Sequence, residues 1–170
     1  IMRGSGCRLL AYDVVENPEC LRLGVEYVPL DSLLREADIV SLHLPLTPQT
    51  HHLLDAARLG LLKPDALLVN TSRGGLIDTD ALIAALRSER IGGVALDVYE
   101  EEEGVFFQDR SDRVMTDDTL ARLMTFGNVL VTGHQAFFTR EAVTTIAETT
   151  IGNINDFAAG RTNPNVLSPG

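Results

Sequence analysis

The chain is short of positive charge. It has 14 lysines and arginines against 24 aspartates and glutamates, a net charge of −10. That balance excludes nucleic acid and anionic membrane surfaces as partners of the whole surface. An anionic ligand must be held by a local positive site. Cysteine is scarce as well: Cys7 and Cys20 are the only two, which excludes a disulfide framework and points to reduced thiols in a cytoplasmic protein. No apolar run reaches spanning length and no signal-peptide pattern opens the chain, so no membrane partner is expected. Repeats and low-complexity linkers are absent. His51-His52 has no cysteine or acidic ligand set at fitting spacing, so the pair reads as structural and no metal is expected. The dinucleotide fingerprint G-x-G-x-x-G is also missing. Gly4 and Gly6 do not supply it, because no strand precedes them. Spacing places that fingerprint, and the first strand of the sheet, just upstream of Ile1.

What is there is globular: 45% apolar and 22% charged over 170 residues, enough for a domain with a sizeable core. Residues 1–8 read as the tail of a helix followed by glycine punctuation. Short apolar strands are expected at Leu9–Tyr12, Val25–Val28, Ile39–Leu42, Ala66–Val69, Gly93–Leu96 and Asn128–Val131. Between them fall helical segments at Cys20–Leu23, from a cap at Asp31 through Glu36, and at Leu53–Leu61, Asp80–Ser88 and Asp117–Met124. A long helix, Thr139–Ala159, is capped by Thr139 and stopped by Gly160. Residues 99–116 read as a long acidic loop. Strands alternating with helices imply an α/β fold with a parallel, doubly wound, Rossmann-like sheet.

The organising stretch is Leu67–Asp80, LLVNTSRGGLIDTD. It is a buried strand, a glycine-containing turn and a helix start in sequence. Ligands of open α/β sheets bind outside the carboxyl ends of the strands. Asp13, Pro45, Arg73, Asp97 and His134 each lie at or just past such an end, and right-handed crossovers put those ends on one edge. Arg73 is a planar, permanently charged fork suited to a carboxylate, unless one of the 24 acids claims it in a surface ion pair. His134 can exchange a proton near neutral pH. Phe137-Phe138 beside it either walls a pocket or joins the core. Within Glu100–Glu103, one glutamate could turn inward and pair with His134, and spacing does not say which. Asp13 is placed to accept hydrogen bonds from adenosine ribose hydroxyls, or else to cap its own loop. No arginine follows it closely, which favours NAD over NADP.

Three of these segments carry a resemblance. Asn70–Gly74 (NTSRG), Leu96–Glu102 (LDVYEEE) and Thr132–Phe137 (TGHQAF) resemble, in this order, the motifs that bear the catalytic Arg, Glu and His of the D-2-hydroxyacid dehydrogenases. The run Gly104–Asp109 is similar to the fermentative D-lactate dehydrogenase branch of that family. Ser41–Pro48 (SLHLPLTP) resembles its nucleotide-contacting loop. The resemblance implies Arg73, Glu102 and His134 as catalytic residues, Glu102 being selected because it lies five positions after the motif aspartate. It implies a cofactor site of Asp13, Leu44, Pro45, Thr50, Thr71, Ser72, Arg73 and Asp97. Thr50 stands where some lactate-branch members have asparagine. The implied reaction is hydride exchange between NAD(H) and a small 2-oxo or 2-hydroxy acid, foremost pyruvate and D-lactate, in a homo-oligomer (dimer or tetramer).

On this reading residues 1–132 are a partial NAD-binding Rossmann domain without its first strand and glycine-rich loop. Residues 133–170 are a segment whose helix returns to a substrate domain built from sequence not included here. The fragment alone is then expected to be inactive. Two alternatives stay open: a related reductase for a bulkier 2-oxo acid, and a noncatalytic NAD-sensing binding protein.

Overall fold

Parallel pairing dominates the architecture. In the computed structural model, which describes residues 1–101 and 117–166, four strands form one sheet in the order β3-β4-β5-β6: Ile39–Leu42, Leu67–Asn70, Gly93–Leu96 and Val129–Val131. Ile39 pairs with Leu67 and Leu67 with Gly93, so β3, β4 and β5 start level and end level at Leu42, Asn70 and Leu96. Two shorter strands, β1 (Leu10–Ala11) and β2 (Glu26–Tyr27), pair in parallel as a separate ribbon. The chain divides into two compact units, Ile1–Gly133 and His134–Gly170, and all six strands belong to the first.

The helices form where sequence supplies caps and an apolar stripe. Asn17 accepts from the Glu19 N–H and opens α1 (Pro18–Arg22). Asp55, Asp78 and Asp117 do the same for α3 (Ala56–Leu59), α4 (Thr79–Arg87) and α5 (Asp118–Leu123). Leu82, Ile83 and Leu86 make the buried face of α4. They join Leu34, Leu54, Leu68, Leu76, Leu120 and Leu123 in one core. Tyr99 lies against this core, donating to Asp117 at 3.2 Å. Burial, and then the Asp117 carboxylate, push its phenol well above the ordinary tyrosine range. In the second unit, α6 (Arg140–Ala158) is opened by the Thr139 hydroxyl, and beyond it Gly160 takes φ 63°.

Four expected elements are corrected. The Leu53–Leu61 helix contracts to Ala56–Leu59, because Leu54 bonds sideways instead: its N–H donates to Leu76 and its carbonyl accepts from Asp78. Asp55 then caps what remains. The helix placed after Asp31 begins one residue earlier. In α2 (Leu30–Glu36) Pro29 is the N-cap and Asp31 belongs to the first turn. The strands expected at Leu9–Tyr12 and Val25–Val28 are only two residues each.

The gap beside β1 explains that shortness. Among the described residues β1 pairs only with β2, and β3 only with β4. Between β1 and β3 lies a cavity of about 230 Å³, walled by Leu10–Asp13, by Val40–Leu44 and by Leu30, Leu33 and Leu34 of α2. In the doubly wound order 3-2-1-4-5-6, strand 1 lies between strands 2 and 4. If β2 and β1 are strands 3 and 2, and β3 begins the other half, the cavity stands at the place of strand 1. The fold is Rossmann-like, and among the described residues the β1–β2 ribbon and the β3–β6 sheet share no ladder.

Leu68, fully buried on β4, tests the core. Leu68→Ala should lower unfolding free energy by about 2–5 kcal/mol in urea titration. Leu130→Ala on β6, where the side chain is 62% exposed, should stay within about 0.5 kcal/mol.

Candidate active site

The turn after β4 is built from its own side chains. Asn70 is buried, and its amide spans the turn: Nδ2 donates to the Arg73 carbonyl at 2.9 Å and Oδ1 accepts from the Ser72 N–H at 3.1 Å. Ser72 Oγ donates to the Leu44 carbonyl at 2.5 Å, which ties this turn to the loop after β3. Gly74 then passes so close to the next strand end that a Cβ there would lie 2.1 Å from the Tyr99 carbonyl carbon. A side chain at residue 74 would push the turn outward.

Arg73 emerges from this framework into solvent. Its Nη1 donates to the Ser72 carbonyl at 2.7 Å. Among the described residues no carboxylate pairs with it, so the surface ion pair that would have explained it is absent there. A guanidinium fixed at its root and left without an anion is suited to a carboxylate ligand.

The neighbouring candidates divide into contacts and supports. Asp13 Oδ1 accepts from the Val14 N–H at 2.7 Å, so it does cap its own turn. Oδ2 has no protein partner among the described residues. Leu44 borders the cavity next to Asp13, and Thr71 is exposed on the Arg73 turn. Thr50 is occupied with structure: its hydroxyl donates to the Pro45 carbonyl at 2.7 Å and accepts from the Thr47 N–H at 2.8 Å. Asp97 is 5% exposed and accepts a short hydrogen bond from the Thr132 hydroxyl, while its N–H donates to Asn70. Its position makes it a brace between β5 and the chain leaving β6. His134, with φ 53°, opens the second unit. Phe137 and Phe138, edge to face at 6.0 Å, are 50% and 70% exposed, so neither is core. Glu102 lies outside the described residues.

Sequence spacing missed one contact. His52 Nε2 lies 2.7 Å from Glu100 Oε1, and the Thr79 hydroxyl donates to Glu100 Oε2 at 2.9 Å. Glu100 is thus the glutamate of its run seen to turn inward, and it meets His52. Forty-eight residues separate the pair, a distance at which local spacing carries no signal.

Residues 1–136 match the family described as D-isomer specific 2-hydroxyacid dehydrogenase, NAD binding domain. The chain belongs to this family. Over 98% of its length it is 54% identical to the 2-hydroxyacid dehydrogenase A of Aspergillus oryzae, covering 48% of that protein. It is 49% identical to the D-lactate dehydrogenase of Escherichia coli over 98% of its length, covering 51% of that protein. The crystal structure of D-lactate dehydrogenase with NAD+ from Lactobacillus jensenii superposes with a TM-score of 0.86 at 35% identity. That match covers 98% of this chain and 50% of the other. The chain spans about half the length of the curated relatives it matches. Residues 1–136, which carry Asp13, Pro45, Arg73 and Asp97, are the part that matches the family's NAD-binding domain.

Gly74→Ala should destabilise the chain by about 1–3 kcal/mol, since the added methyl meets backbone. Gly127→Ala, where a Cβ meets nothing within 4 Å, should change stability by less than about 0.5 kcal/mol. Urea unfolding of the two variants checks the contrast.

Proposed function

We propose that this chain supplies the NAD-binding and proton-transfer portion of an enzyme that interconverts pyruvate and D-lactate. The observation that carries the proposal is Arg73: a guanidinium that no carboxylate pairs among the described residues, on a turn locked by buried Asn70, past the carboxyl end of a parallel strand. The fit to a dinucleotide rests on Asp13, whose Oδ2 is open to ribose hydroxyls at the rim of the β1–β3 cavity. NADH, when bound, supplies the hydride that adds to C2 of the 2-oxo acid.

The protein's own residues hold and charge-balance the acid. Arg73 grips the substrate carboxylate through two hydrogen bonds and polarises the adjacent ketone. His134 donates a proton to the carbonyl oxygen during reduction and accepts it in the reverse direction. Glu102 orients the His134 imidazole. Leu44, Pro45, Thr71 and Ser72 line the cofactor side; Thr50 and Asp97 shape it from behind, given the hydrogen bonds each already makes.

On this reading residues 1–132 form the cofactor domain and residues 133–170 return toward a substrate domain. The site is complete only when a strand fills the cleft between β1 and β3, so the 170-residue chain alone turns over no substrate. Backbone groups on those two open edges otherwise lack ladder partners. We read the assembled enzyme as a cytoplasmic homo-oligomer; two free thiols support the reducing compartment.

Arg73→Lys in the complete enzyme should cost about 2–4 kcal/mol in kcat/KM for pyruvate, because a point charge does not reproduce the two-bond grip. Unchanged kcat/KM would remove Arg73 as the anchor. Asp13 predicts cofactor choice: a carboxylate repels a 2′-phosphate, so NADH should be used more efficiently than NADPH, and Asp13→Asn should narrow the ratio. Steady-state kinetics with both cofactors decide, and equal efficiency in the unaltered enzyme would contradict the role given to Asp13.

A further inference from the structure

The turn at Thr47–Leu53 gathers groups that the dehydrogenase reading does not use. Thr50 and His51 N–H groups both bond back to the Thr47 carbonyl, and the His52 N–H donates to Gly75. His52 takes φ 50°, a left-handed conformation that is uncommon outside glycine. The reversal stacks two consecutive imidazoles on the same side of the chain, with centroids 3.9 Å apart and an interplanar angle of 25°. Adjacent side chains in a strand would point to opposite faces. A backbone conformation held against preference is the kind of feature found at ligand sites.

Both rings face one carboxylate oxygen. Glu100 Oε1 lies 2.7 Å from His52 Nε2 and 3.9 Å from His51 Nε2. The three ligand atoms offered by His51, His52 and Glu100 all fall within 4.8 Å of one another. In a tetrahedral zinc site with bonds near 2.1 Å, ligand atoms stand about 3.4 Å apart. The two measured separations bracket that value; the rings, stacked at 25°, must also turn about their side-chain torsions for both lone pairs to converge on an ion, a rotation that solvent-facing His51 is free to make.

The surrounding groups have the arrangement that metal sites use to orient their ligands. Thr79 Oγ1 donates to Glu100 Oε2, which leaves Oε1 for the histidines. The far ring nitrogen of His52, Nδ1, is 4.0 Å from Asp78 Oδ2, about 1 Å beyond hydrogen-bond reach, so a small ring movement would bring it to the carboxylate that orients many metal-bound histidines. Asp78 is itself fixed as the N-cap of α4. His51 is mostly exposed while His52 and Glu100 are half-buried, so the open side of the set faces solvent.

We propose that His51, His52 and Glu100 form a binding site for a borderline divalent transition metal, zinc foremost. Two imidazoles and one carboxylate are a donor set that zinc accepts with one position left for water. The site lies in the first compact unit, on the segment that bonds to the Gly74–Ile77 turn. It is independent of Arg73 and of the proposed reaction. On binding, the ion replaces the direct contact between His52 Nε2 and Glu100 Oε1.

Zinc ions alone, titrated calorimetrically into the 170-residue chain, test this. A background with Cys7→Ser and Cys20→Ser removes the two thiols as rival ligands. One equivalent should bind in that background. His51→Ala removes an exposed side chain and should weaken binding by a hundredfold or more. Thr79→Val, which frees the carboxylate without touching the ion, should weaken it by about 10–100-fold. The thermal midpoint of each variant without zinc shows that it is folded. Zinc binding that disappears with the two thiols, or that is the same in His51→Ala, would overturn the site, as would no binding at all.

Discussion

Level parallel register is the constraint on which the rest depends. Because β3, β4 and β5 start together and end together, the chain leaves the sheet at Leu42, Asn70 and Leu96 along one edge. Each exit is then fixed by a local polar bond. Ser72 reaches the Leu44 carbonyl, Asn70 spans its own turn, and the Asp97 N–H returns to Asn70. Buried polar groups that are fully paired hold a single geometry, whereas an unpaired one costs about 1–3 kcal/mol. Asn70 is the node of this set. Its removal would release the Arg73 turn while leaving the apolar core intact.

The Arg73 turn is also held from its far side. Gly74 lies against the Tyr99–Glu100 backbone, and the carboxylate of Glu100 joins His52 to Thr79 at the start of α4. Three loops that follow different strands are thus linked by one glutamate. The same atoms offer a donor set to a cation. A metal there would stiffen the base of the turn without approaching the guanidinium.

Much of this was legible in the residues. The Thr139 cap and the helix starts near Asp80 and at Asp117 were read from the residues, and the short apolar runs marked strands. Polar residues at strand ends pointed to the binding edge, and the three motifs pointed to the family. What was not legible depends on contacts between distant segments. Leu53-Leu54 reads as helix by periodicity, and only the parallel bridge to Ile77 takes it away. The hydrogen bonds that Thr50 makes to the Pro45 carbonyl and Asp97 to the Thr132 hydroxyl were likewise not legible from spacing. His51-His52 looked inert because its acidic partner stands 48 residues on.

The central claim is that Arg73 and Asp13 hold the two anionic or hydroxyl-bearing ends of a reacting pair at one sheet edge. A crystal structure of the complete protein with NADH and oxamate, an unreactive analogue of pyruvate, tests this most directly. The account predicts two Arg73 nitrogens about 2.7–2.9 Å from the oxamate carboxylate and Asp13 Oδ2 accepting from the adenosine ribose. An oxamate carboxylate bound by another cation, with Arg73 turned to solvent, would contradict it.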